Sequence, residues 1–205
     1  MIKIGVNMIK NIIFDVGNVL IDYRWKAMLM AYGLSEEEAV EMGERIFEDP
    51  LWLVLDTGTV DAETIIEQYK EKYPQHAETI SWFISHGEFM HVARKHVWNI
   101  IPRLKEKGYG IYLLSNYSEE LFTKHTKGAS FMDQIDGMVV SYQKHVCKPD
   151  PKIYEYLLKD YHLNPQDCIF FDDRLENVER AREMKFKAVQ VLSEAQLIDE
   201  LNALC

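Results

Sequence analysis

The chain has 205 residues, 47% of them hydrophobic and 27% charged, which suits one α/β domain with an inserted module, or two small domains, and excludes a disordered chain. Its formal net charge is −10, and no cluster of Lys or Arg offsets it locally, so nucleic acid is not the expected partner. Cys147, Cys168 and Cys205 are too few and too scattered for a disulfide framework or a zinc pair, and no apolar run approaches the roughly 18 residues that cross a bilayer. A cytoplasmic protein with no membrane partner is expected, with Met8 able to serve as the start and the first seven residues a dispensable extension.

Ile9 to Phe14 is a β-branched and aromatic run that ends at Asp15, before the turn-forming Val16-Gly17-Asn18, and predicts a buried strand entering a loop. From there to the next such run lie about ninety residues without a convincing strand. They carry amphipathic helical patterns instead, including Ser35 to Phe47 and Asp61 to Tyr73. Ser35-Glu36-Glu37-Glu38 reads as a capping box, and the helical insert is placed at residues 23–91. Four more strands are predicted at Gly110 to Leu114, Gly137 to Val140, Cys168 to Phe171 and Lys187 to Leu192. Helices are predicted at Val97 to Lys107, at Pro151 to Tyr161 with Asp150 as N-cap, and at Leu175 to Met184. The alternation predicts a Rossmann-like, doubly wound parallel sheet, a core of residues 1–22 and 92–205, with ligands bound at the strand C-termini.

The polar residues collect at those C-termini. Asp15 closes one apolar strand and Asp172-Asp173 close another, where carboxylates are costly unless paired or bound to metal. Ser115-Asn116 end a third strand, and Lys148 lies in Cys147-Lys148-Pro149-Asp150-Pro151. Hard oxygen ligands for Mg²⁺ beside one cation suit a phosphate group, so a small phosphorylated substrate is expected.

In order, Ile-Ile-Phe-Asp15-Val-Gly-Asn-Val-Leu, Leu-Leu-Ser115-Asn116, Lys148-Pro149-Asp150-Pro151 and Ile-Phe-Phe-Asp172-Asp173 resemble the four motifs of haloacid dehalogenase-like (HAD) phosphatases of the subfamily with a helical cap after the first motif. Within that superfamily the chain resembles the bacterial glucose-1-phosphatase-like group and, more distantly, the phosphatase domain of soluble epoxide hydrolases. The resemblance implies that Asp15 is both nucleophile and metal ligand, and that Asp173 and the Gly17 carbonyl complete the protein's share of the Mg²⁺ site. It gives Ser115, the Asn116 backbone N–H and Lys148 to the phosphoryl oxygens, with Lys148 also catalytic. Asp172 is expected to order metal waters or Lys148, although either member of the adjacent pair can be the ligand.

One departure matters. Most HAD phosphatases carry an acid/base Asp two residues after the nucleophile, and here Gly17 stands there. Since general acid catalysis contributes about 10²–10⁴-fold, good leaving groups are favoured, and a sugar 1-phosphate is the expected ester. Asp22 is the alternative acid/base. Trp25 and Trp52 are expected to flank the cleft between cap and core, whereas His86, His91 and His96 lack the spacing of a helical zinc pair. The competing functions are a 2-haloacid dehalogenase, which would not need the Asp172-Asp173 pair, a mutase, and a regulatory module that has lost catalysis. A monomer or a twofold homodimer is the default assembly.

Overall fold

The computed structural model describes residues 8–205; the proposed dispensable extension ahead of Met8 lies outside them. Strand β1 (Asn11–Phe14) is the centre of a five-stranded parallel sheet ordered β5-β4-β1-β6-β7, with β4 at Gly110–Ser115, β5 at Gly137–Val140, β6 at Cys168–Asp172 and β7 at Lys187–Gln190. The chain first builds outward from β1 through β4 to β5, then returns across β1 to add β6 and β7. The strand ends at β1 therefore form the crevice where winding reverses, the place at which open α/β sheets bind ligands.

Apolar runs with little polar alternation form the inner strands because both faces are covered, whereas β7 at the sheet edge carries the exposed Lys187. Ile12, Ile13 and Phe14 are all fully buried, yet they serve two cores. Ile12 and Phe14 join Ile111, Leu113, Ile169 and Phe171 on one face, while Ile13 joins Leu114, Phe170, Ile153, Tyr154 and Val178 on the other. Helices α10 (Pro151–Asp160) and α11 (Leu175–Glu183) cover the second face, and α6 (Lys95–Trp98), α7 (Ile101–Glu106) and α12 (Glu194–Leu204) supply side chains to the first. Two short helices, α8 (Glu119–Thr126) and α9 (Ser141–Lys144), follow β4 and β5.

Five helices fill the segment after β1: α1 (Trp25–Tyr32), α2 (Glu36–Phe47), α3 (Pro50–Thr57), α4 (Ala62–Lys72) and α5 (Ala77–Ser85). The capping box forms as read, with the Glu38 N–H donating to Ser35 Oγ at 3.3 Å and the Ser35 N–H donating to Glu38 Oε2 at 2.8 Å. Asp61 likewise accepts from the Thr64 N–H at 2.8 Å. Asp150 caps α10 through the Lys152 N–H at 2.9 Å, with Pro151 in the first turn.

Two expectations are corrected. The stretch between the first and second sheet strands does contain strands: β2 (Ile21–Tyr23) and β3 (His91–Ala93) pair antiparallel, Asp22 opposite Val92, as a ribbon at both ends of the helical insert. Nor is Val97 to Lys107 one helix. It is interrupted at Asn99 and Ile100, because Pro102 has no N–H to give the Trp98 carbonyl and its ring crowds that turn.

Phe171 is fully buried and stacks on Phe14 with ring centroids 5.7 Å apart. Phe171→Ala is expected to lower unfolding free energy by about 3–5 kcal/mol with an unchanged denaturant slope. Equilibrium urea unfolding measures it, and a loss below about 1 kcal/mol would contradict the packing described.

Candidate active site

Asp15 leaves β1 with its N–H still bonded to the Phe171 carbonyl at 2.9 Å, so the sheet ladder itself fixes the position of the carboxylate. Its Oδ1 accepts from Ser115 Oγ at 2.5 Å, from the Val16 N–H at 2.7 Å and from Lys148 Nζ at 3.1 Å. All three donors converge on one oxygen. Oδ2 is left without a donor among the described residues.

Lys148 is 3% exposed, and its ammonium has three acceptors: Asp172 Oδ2 at 2.6 Å, the Leu114 carbonyl at 2.9 Å and Asp15 Oδ1. Burial alone works against this charge, but Asp15 and Asp172 outweigh it and hold the lysine above its ordinary pKa. Asn116 aims the lysine from behind: its side-chain amide donates to the Lys148 carbonyl at 3.0 Å and accepts from the Lys148 N–H at 2.8 Å. The sequence reading gave Asn116 only a backbone role, so this clamp is additional.

The adjacent carboxylates differ sharply. Asp172 is fully buried and saturated, since besides Lys148 it accepts from the Arg174 N–H at 2.8 Å and from Asn177 Nδ2 at 3.0 and 3.1 Å. Asp173 is half-buried, and among the described residues its side chain accepts from Asn18 Nδ2 at 2.9 Å. Oxygens of Asp15, Asp172 and Asp173 lie within 4.8 Å of one another.

Three carboxylates thus face one ammonium. Burial pushes Asp15 up to about 7, with Asp172 and Asp173 adding to the rise against the opposing pull of Lys148 and Ser115. Asp173 is also raised, chiefly by burial. Hard oxygen donors, a negative excess and a partly open carboxylate fit a bound divalent cation of the Mg²⁺ type.

Asp15, Lys148 and Asp173 line a cleft of about 770 Å³, a volume within the size range of small-molecule sites, while Ser115 and Asp172 stay buried behind it. Gly17, Asn116, Lys148 and Asp173 line it, and so do Trp25 and Trp52 as expected. Trp25 and Trp52 meet Phe47 edge-on, at 5.7 and 4.6 Å between centroids, forming one aromatic wall. A Cβ on Gly43 would collide with the Trp25 ring, so α2 needs glycine there for the ring to seat.

The sequence reading missed Tyr23, Asp56 and Tyr117, which also line the cleft. Burial pushes Asp56 up to about 7, with the Asp15 charge adding to the rise. Its signal was present, a single carboxylate closing the apolar run Leu51 to Leu55. Tyr23 is turned to the cleft by the pleat of β2, where Ile21 is buried and Asp22 exposed, a strand too short to be read from the sequence. Asp22 itself is not brought to the site: its side chain is 54% exposed, lies 3.4 Å from Arg94 and lines no part of the cleft. His86 and His91 spend Nδ1 on the Trp82 and Glu88 carbonyls.

A family model for haloacid dehalogenase-like hydrolases matches residues 9–185. The D-ribitol-5-phosphate phosphatase of Bacteroides thetaiotaomicron is 26% identical over 208 residues, covering 96% of this chain and 98% of its own. Among solved structures, a HAD family enzyme from the same organism, in complex with magnesium and inorganic phosphate, superposes with a TM-score of 0.69 at 22% identity, covering 89% of this chain and 93% of that one. An L-2-haloacid dehalogenase from Xanthobacter autotrophicus also superposes at 0.69, with 18% identity and coverage of 96% and 83%. At these identities the structural likenesses establish the fold, while the family match spans most of the sheet and every residue of the cluster. The chain belongs to the haloacid dehalogenase-like hydrolases.

Proposed function

We propose that this hydrolase is an Mg²⁺-dependent phosphatase that removes the phosphate of a small sugar or polyol monophosphate through an aspartyl-phosphate on Asp15. The observation that carries the reading is the buried cluster itself, in which Asp15 shares Lys148 with Asp172 while Asp173 stands partly open beside them. The phosphatase relative and the neighbour holding magnesium and phosphate support the same class. The aromatic wall of Trp25, Phe47 and Trp52 above a polar floor suits a short polyol, whose C–H faces pack on rings while its hydroxyls need polar partners.

Asp15, Asp173 and the Gly17 carbonyl would hold Mg²⁺, which when bound neutralises charge on the phosphoryl oxygens. Asp172, saturated by Lys148, Asn177 and the Arg174 N–H, is given the orienting role. The Asp15 carboxylate forms a bond to phosphorus as the ester P–O bond breaks, and the leaving oxygen keeps the electron pair. Water then attacks phosphorus, and the carboxylate is restored as inorganic phosphate departs. Ser115, the Asn116 N–H and Lys148 are assigned to the phosphoryl oxygens. The Lys148 donor on Asp15 makes the longest of that ammonium's three contacts and is the one assigned to turn to substrate. Catalysis then rests on placed charge and donors.

Residues 23–91 are assigned as a cap over a core of 1–22 and 92–205, with the β2-β3 ribbon as the joint between them. Sugar 1-phosphates are the esters for which the missing side chain at Gly17 costs least. Dehalogenation leaves the Asp173 carboxylate without a task, which favours phosphate transfer.

Wild-type protein is expected to release inorganic phosphate from p-nitrophenyl phosphate, glucose 1-phosphate and ribitol 5-phosphate only with Mg²⁺, and Asp15→Asn to fall to background. Release that survives Asp15→Asn, or chloride release from 2-haloacids, would overturn the assignment. Separately, Mg²⁺ at a hundredfold excess over its Kd should stabilise the protein by about 2.7 kcal/mol in thermal unfolding. Asp173→Asn should remove most of that shift and Asp22→Asn none of it.

A further inference from the structure

Gly17 occupies the position where the family carries its acid/base side chain, and the space beside it is filled. A Cβ built on Gly17 would lie 2.7 Å from Tyr23 Cε2 and 2.9 Å from the Tyr23 hydroxyl. The phenol therefore stands where a side chain rooted at residue 17 would begin, and its polar end reaches that slot. Glycine at 17 and tyrosine at 23 form a matched pair. The ring is brought there by β2, whose alternation turns Ile21 and Tyr23 away from the exposed Asp22 face, and it lines the same cleft as Asp15.

Behind Tyr23 runs a chain of polar groups with a defined direction. His125 Nε2 lies 2.8 Å from the Gly87 carbonyl, which can only accept, so Nε2 is the donor. Burial pushes His125 down to about 4, so it is neutral near pH 7 and its Nδ1 carries a lone pair. That Nδ1 lies 3.1 Å from the Tyr117 hydroxyl, which must be the donor in this contact. Tyr117 has then spent its only proton. Toward Tyr23, whose ring centroid is 6.2 Å away, its oxygen can act only as an acceptor. Behind Tyr23 there is thus only a neutral phenol oxygen to compete for its proton. An ester oxygen gathering negative charge is a better acceptor than a neutral phenol, so substrate can draw that proton forward.

We propose that the Tyr23 hydroxyl replaces the acid/base side chain absent at Gly17 and gives its proton to the leaving-group oxygen. The inference rests on the phosphatase reading above. As the Asp15–phosphorus bond forms and the ester P–O bond breaks, the leaving oxygen takes the electron pair and the Tyr23 proton, and departs as the alcohol. In the second displacement the Tyr23 phenolate takes a proton from the attacking water, which ends in inorganic phosphate. Protons balance over the cycle. Poor leaving groups then remain within reach of an enzyme whose motif lacks the usual aspartate.

The test compares kcat/KM for ribitol 5-phosphate, an alkyl ester, with that for p-nitrophenyl phosphate, whose leaving group needs no proton. Tyr23→Phe keeps the ring and its packing. It is expected to lower kcat/KM on the alkyl ester about 10²-fold while the aryl ester stays within about threefold. Equal losses on both esters would reduce Tyr23 to packing, and no loss on either would remove it from the reaction; both results overturn the proposal. A selective alkyl-ester loss in Asp56→Asn with none in Tyr23→Phe would transfer the role to Asp56. A second set keeps the question open to refutation if Tyr23→Phe perturbs the cleft. Gly17→Asp alone should bring no gain, because its Cβ meets the Tyr23 ring, whereas Gly17→Asp in a Tyr23→Ala background should recover at least about tenfold over Tyr23→Ala alone on ribitol 5-phosphate. A gain from Gly17→Asp alone would overturn the proposal. Absence of phosphate release from either ester by wild type would instead overturn the phosphatase reading, and this step with it.

Discussion

The buried ammonium of Lys148 is the contact on which the rest depends. Taking such a charge out of water costs several kcal/mol, and only close, well-aimed partners offset it. Here the partners come from three strand ends: the Leu114 carbonyl on β4, Asp15 beyond β1 and Asp172 at the end of β6. One side chain thus ties together the three central strands at the point where the sheet reverses its winding. Removing Asp172, the partner at 2.6 Å, would leave the ammonium poorly matched in the interior, a loss that typically costs about 3–5 kcal/mol.

That tie is incomplete as an electrostatic unit. Lys148 is matched by Asp172, whose remaining lone pairs are filled by Asn177 and the Arg174 N–H, so the charges of Asp15 and Asp173 are left over. Burial pushes Asp15 up to about 7, and Asp172 and Asp173 add to the rise against the pull of Lys148. A divalent cation is the species that corrects such an excess without closing the cleft, and a phosphoryl group is the substrate that exploits the result. The helical insert adds what the cluster lacks, an aromatic wall from Trp25, Phe47 and Trp52 and the buried Asp56. The carboxylates and the ammonium belong to the core and the aromatic wall to the insert, and the β2-β3 ribbon pairs the two ends of that insert.

Much of this was legible in the sequence, for physical reasons that differ by element. The inner sheet strands were readable because a parallel strand covered on both faces reads as an apolar run, and each of those runs stops at a polar residue; β7, at the edge, keeps only a short apolar centre. The cluster of Asp15 and Asp172-Asp173 was readable because carboxylates at those stops need a reason to be there, while Lys148, in the loop after α9, was readable only through its Lys148-Pro149-Asp150-Pro151 motif. The β2-β3 ribbon was not. Ile-Asp-Tyr and His-Val-Ala are too short to show a period, and they pair across the whole insert. Tyr23 stayed hidden with the ribbon, since its place against Gly17 depends on a strand pairing that no local pattern announces. Pro102 was visible, and its break in the helix after β3 is the one place where a rule already in hand was outweighed by an apolar periodicity that ran through it.

The central claim is that Asp15 carries the phosphoryl group between the two displacements. Acid quenching during turnover of p-nitrophenyl phosphate, followed by peptide mapping by mass spectrometry, tests it directly. The account predicts one phosphoryl group on the peptide containing Asp15, formed only with Mg²⁺ and absent from Asp15→Asn. Turnover with the label on another residue, or rapid turnover by Asp15→Asn, would contradict it.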